Sequence, residues 1–193
     1  MQHEFMSSEE FLHIRIIAGV VVSFCMARLL ERIAIFIQHP TRKGPEPLQL
    51  IWLLVLLLSV VEWWWLIFDL KYEVRFDYSI YMILLFYAFI YYFIVFLLTP
   101  DNIDEYGSFF DYFLQVRRIF FLFSILVHSQ FLVLGEVFGM PDAAARPVLY
   151  GAFAVISSLY LLAMVSRRLS VQLIVSVSIL GLSMFTTVMD FLA

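Results

Sequence analysis

The feature that most constrains this chain is a succession of six apolar stretches, each about twenty residues long and bounded by charge or proline. A helix needs about 20 residues to cross a hydrocarbon layer of roughly 30 Å, so each stretch is a candidate membrane span. They cover residues 11–38, 48–70, 78–99, 117–138, 147–166 and 170–192. Composition agrees: 63% of the chain is apolar, only 15% is charged, and the mean hydropathy is +0.94. A soluble domain is nearer half apolar and a quarter charged, and one globular core cannot hide this excess. The expected fold is all-α, a polytopic transmembrane helical bundle of six spans read as three hairpins. Residues 1–193 form a single integral membrane domain in this reading, with the lipid bilayer as principal partner.

The same numbers exclude several classes. A net charge of -4 does not suit a nucleic-acid binder, and a lone cysteine, Cys25, cannot staple a disulfide scaffold. The spans and short connections use nearly every residue, leaving no room for a soluble catalytic domain. No phosphate-binding glycine loop, HExxH, CxxC or GxSxG occurs, so nothing in the sequence asks for an enzyme. Lysine is confined to loops at Lys43 and Lys71, which excludes a retinal Schiff base. The N-terminal MQHEFMSSEE lacks the positive region of a cleavable signal peptide, so the first helix is expected to stay.

Lysine and arginine set the orientation, because the side richer in them faces the cytoplasm. Arg28, Arg32, Arg42, Lys43, Arg117, Arg118, Arg167 and Arg168 fall on one side, against Arg15, Lys71, Arg75 and Arg146 on the other. Six spans then place both termini outside. The three prolines between His39 and Pro47 make a stiff inner turn. The segment 102–115 reads differently. Asn102 and Glu105 fit a capping box, and Ile103, Tyr106, Phe110 and Phe113 lie opposite Asp104, Ser108, Asp111 and Gln115. That pattern predicts one amphipathic interfacial helix. Its acidic face, with Asp104, Glu105 and Asp111, is a candidate docking surface for a protein partner; the alternative is a solvated helix that only positions the fourth span.

Charge at membrane depth is costly and marks candidates for an ion or solute pathway. Glu62 sits well inside the second span, too deep for a short side chain to snorkel, with Arg15 as a plausible partner. Arg28, Glu31 and Arg32 share one face of the first helix and either line an inner vestibule or pair among themselves. His128 and Gln130 lie in the fourth span, where an interhelical hydrogen bond competes with a proton relay. No second histidine matches His128 in depth, since His3, His13 and His39 lie in the tail, the outer interface and the inner loop. Neither haem nor any other cofactor or metal is therefore expected. The sixth span is rich in hydroxyls, including Ser183, Thr186 and Thr187, which suit close packing or a polar lining. Gly135 and Gly139 form a GxxxG at the end of the fourth span, where glycine more often ends a helix.

The stretches ARLLERIAIFIQ, WLLVLLLSVVEWWWLIFDL, LLTPDN and RRIFFLFSIL give the first two thirds of the chain a likeness. In them it resembles a loose group of uncharacterised bacterial polytopic membrane proteins. The resemblance implies a bacterial inner-membrane location and a helical bundle, and it implies no activity. From the residues, the first functional expectation is an oligomeric channel or small transporter for protons, ions or a small solute, built around Glu62. A second is a non-conducting sensor or assembly subunit of a membrane complex, favoured by low glycine content and bulky aromatics. A third is a protein handling quinone or lipid within the bundle.

Overall fold

The computed structural model describes residues 8–38, 46–69, 78–102, 105–138 and 146–192. Within them are six α-helices: α1 (Ser8–Gln38), α2 (Pro47–Asp69), α3 (Tyr78–Leu98), α4 (Phe109–Phe138), α5 (Arg146–Val165) and α6 (Leu169–Leu192). No strand occurs among the described residues. Helices satisfy every interior backbone donor and acceptor within one segment, the condition a chain must meet where water is absent. Five of them, α2 to α6, are long and apolar enough to cross a membrane. The sixth, α1, carries Arg15, Arg28, Glu31 and Arg32 along its length.

Neighbouring helices close a ring in the order α1, α2, α6, α5, α4, α3, and α2 also touches α3 and α4 across it. The surface is apolar on every helix, as at Phe24 of α1, Phe93 of α3, Val165 of α5 and Phe185 of α6, each more than half exposed. Such a continuous apolar exterior belongs in lipid rather than water. The interior is aromatic and dense. Trp52 of α2 meets Phe120 and Phe121 of α4 edge-on at 5.1 and 5.6 Å, and Phe121 leans on Tyr160 of α5 at 5.9 Å. Lipid tails are as apolar as these side chains, so close packing and hydrogen bonding, not water exclusion, hold the helices together. Gly19 shows the principle at the α1–α2 contact: a Cβ there would meet the Trp64 ring at 3.0 Å.

The expected interfacial helix at 102–115 is not a separate element. Glu105 to Ser108 form turns, and α4 starts at Phe109 and continues without a break to Phe138. The physical reason is where the cap lies. Ser108 Oγ accepts the Asp111 N–H at 3.0 Å and donates to Asp111 Oδ2 at 2.7 Å, while the Glu46 carboxylate accepts the Phe109 and Phe110 N–H groups at 2.6 and 3.1 Å. Three otherwise orphaned donors of the first turn are satisfied at that point, so the helix begins there. Asp111 therefore acts as a capping residue, and Glu105 stands exposed in the preceding turn. Asp104, Gly139, the proline-rich turn at 39–45 and the connection at 70–77 lie outside the described residues.

Candidate functional site

Three groups of polar contacts tie the ring together, and each contains a residue that the sequence singled out. The first joins α2 to α6. Glu62 is half-buried on α2, and its Oε1 lies 2.6 Å from Thr187 Oγ1 and 3.4 Å from Thr186 Oγ1. Both threonines also reach back to the Ser183 carbonyl, at 2.8 Å from Thr187 and 2.9 Å from Thr186, the usual habit of a hydroxyl in a helix. The helices run parallel, so the sixteenth residue of one meets the end of the other at a common height. Arg15 stands on α1 beside Ile16, Gly19, Val20, Ser23, Phe24 and Ala27, which line an open groove of about 600 Å³ along that helix.

The second group closes the far end of α3. Arg28 of α1 donates from Nη2 to the Thr99 carbonyl at 3.1 Å and to Asp101, and from Nη1 to Glu31 at 3.2 Å. Its guanidinium also lies over the Phe96 ring, 5.3 Å from the centroid. Arg32 donates to the Pro100 carbonyl. The Thr99 and Pro100 carbonyls lie just past the last residue of α3, at the negative end of its dipole, so two guanidinium groups are the matching partners. The hydrogen bond from Arg28, reinforced by its charge, holds the Asp101 carboxyl below the usual aspartate range. Arg28 and Glu31 are paired, as one reading of the sequence had it, but Arg28 also reaches across to another helix.

The third group lies between α3 and α4. Gln130 is fully buried and donates from Nε2 to the Tyr91 hydroxyl at 3.1 Å, and one turn away Tyr87 and Ser129 share a 3.2 Å hydrogen bond. Trp63, the residue after Glu62, packs on Tyr91 at 5.4 Å. His128 does not join it. Its ring stacks on Phe153 of α5 at 5.9 Å and meets Phe131 edge-on at 5.7 Å, an aromatic setting between α4 and α5.

The structure thus ties Glu62 to α6 and Gln130 to α3, and keeps Arg28 and Glu31 at the α3 terminus and His128 against Phe153. Among the described residues, no group of three or more histidine, cysteine, aspartate or glutamate side chains is placed to hold a metal. Sequence reasoning missed Glu46, Tyr91, Asp101 and the role of Thr187. Only Glu46 offered a signal, as a lone acid preceding an apolar run.

No family model, curated protein or solved structure matches this chain. The functional reading therefore rests on the geometry just described.

Proposed function

We propose that this protein is a six-span protein of a bacterial inner membrane that moves protons, or a small ion or solute coupled to them, with Glu62 as the group that takes up the proton. The observation that carries the reading is the proton count at Thr187. A threonine hydroxyl has one proton to give, yet Thr187 Oγ1 lies 2.6 Å from Glu62 Oε1 and 2.8 Å from the Ser183 carbonyl. With Glu62 neutral, its carboxyl donates to Thr187, and Thr187 donates to Ser183, so each short contact holds one proton. With Glu62 ionised, Thr187 turns its proton to the carboxylate, and the Ser183 carbonyl keeps its ordinary helical partner. The two arrangements differ by one proton and a hydroxyl rotation, without backbone movement. A carboxyl at this depth with a satisfied partner in both states is suited to binding and releasing a proton.

In this reading α1 is the sixth span, both termini lie outside, and the arginine-rich end of the bundle faces the cytoplasm. The test is flux through the purified chain in liposomes, for protons and monovalent cations, with Glu62→Gln and Thr187→Val beside the wild type. Proton flux that falls at least about tenfold in Glu62→Gln, with the variant still folded, supports the proposal. Vesicles that stay tight with the wild type under pH gradients and voltage overturn it.

Such an outcome would favour a non-conducting sensor or assembly subunit. The observation on that side is the aromatic packing of Trp52, Phe113, Phe120, Phe121 and Tyr160, which fills the space between α2, α4 and α5 with rings rather than with a polar passage.

A further inference from the structure

The two arginines of the α3 clamp have carbonyl and carboxylate acceptors, whereas the arginines at the start of α4 and in the α5–α6 turn are placed quite differently. Arg117 is 6% exposed. Its Nη1 donates to the Leu114 carbonyl of its own helix, and its Nε is buried with no acceptor among the described residues. Among the described residues, Arg167 and Arg118 lie close enough for their charges to act on it, and both are cations. Arg118, Arg167 and Arg168 are exposed, and among the described residues none of these four arginines has a carboxylate at ion-pair distance.

A second orphaned donor lies on α2. Gln49 of α2 is 1% exposed and its Nε2 has no acceptor among the described residues. Glu46, just before α2, caps the start of α4, and further along both helices Trp52 touches Phe120 and Phe121, so α2 and α4 run in the same direction. One turn back from that contact on each helix come Gln49 and Arg117, so helical spacing puts them at the same height on facing surfaces. Two buried N–H donors without acceptors and a group of like charges without a counter-ion, among the described residues, call for the same thing, an anion with several oxygens. Guanidinium groups match the paired oxygens of phosphate, and basic pockets between spans at the headgroup level hold phosphate groups of lipids.

We propose that Arg117, Gln49, Arg118 and Arg167 form a binding site for a phosphate group at the basic end of the bundle. The site depends on the membrane placement of the helices and is independent of the proton chemistry at Glu62. It would draw its phosphate from an anionic lipid headgroup or from the aqueous phase, and the test separates the two.

The experiment uses the full chain purified in a neutral detergent, with bound lipid read by native mass spectrometry and stability by thermal melting. Phosphatidylglycerol, phosphatidylcholine and inorganic phosphate are the probes. Retention of phosphatidylglycerol with a rise in Tm, and affinity about tenfold weaker in Arg117→Gln, is the expected result. The double variant Arg118→Gln/Arg167→Gln alters only exposed positions, so it stays informative if Arg117→Gln does not fold, and it too should bind more weakly. Loss of the bound lipid to millimolar inorganic phosphate assigns the site to free phosphate, and resistance to it assigns the lipid headgroup; either upholds the anion site. Equal retention of phosphatidylcholine and phosphatidylglycerol, or double-variant affinity equal to wild type, overturns it.

Discussion

Single side chains in this protein act by supplying one proton or one charge where a helix cannot. Thr187 and Glu62 stabilise the α2–α6 contact by one interhelical hydrogen bond, and such bonds between spans contribute about 0.6 kcal/mol on average and under about 2 kcal/mol at most. Thr187→Val should therefore lower stability by about 1 kcal/mol in a reversible denaturation assay in detergent. Glu62→Gln, whose amide can still donate to Thr187, should lose less. Asp101 gives a pH dependence. Its carboxyl is held below the usual aspartate range by Arg28, so its contribution is complete above that range and is lost as pH falls through the lower, folded-state value. The wild type should lose Tm in acid below about pH 4, and Asp101→Asn, which cannot make the ionic contact, should lose less over the same interval. Parallel acid profiles of the two proteins would remove the pair from the account.

At the scale of elements, helix ends decide the layout. The first turn of α4 is capped from within by Ser108 and from another helix by Glu46, so the start of α4 is tied to the start of α2. Ser108→Ala should cost about 1 kcal/mol, the ordinary value of an N-cap. Glu46→Ala should instead speed hydrogen exchange at the Phe109 and Phe110 amides, because it removes their acceptor without touching the local cap. Exchange unchanged at both amides would mean that water replaces Glu46 without loss. The α3 end is held by the same logic with the sign reversed, since Arg28 and Arg32 supply donors to the carbonyls just past its last residue. The capping-box match at Asn102 and Glu105 and the apolar periodicity together placed the expected helix start ahead of the observed one at Phe109. They could not register Glu46, which competes for the first-turn donors from 63 residues away.

For the whole molecule, α2 reaches across the ring to α3 and α4, and Trp52 carries its aromatic contacts to Phe120 and Phe121 of α4. Truncation at Trp52 removes the partner of Phe120, Phe121 and Tyr160 together. Trp52→Ala should destabilise by about 3 kcal/mol or more and broaden the unfolding transition, measured by denaturation in detergent. A loss below about 1 kcal/mol would mean that the ring collapses onto the gap. What the sequence determined by itself was the all-helical class and the five long apolar helices α2 to α6, because length and apolar composition are local quantities that a bilayer converts directly into spans. It also marked Glu62, Arg28 and Gln130, since charge or amide in an apolar run is visible without any partner. Their partners were decided only by the tertiary structure. Thr187 is 125 residues from Glu62, Asp101 is 73 from Arg28 and Tyr91 is 39 from Gln130, and nothing in the spacing within one helix says which other helix stands beside it. Apolar helices in lipid are nearly interchangeable in hydropathy, so their order around the ring is set by close packing, as at Gly19 against Trp64, and by the few hydrogen bonds that match.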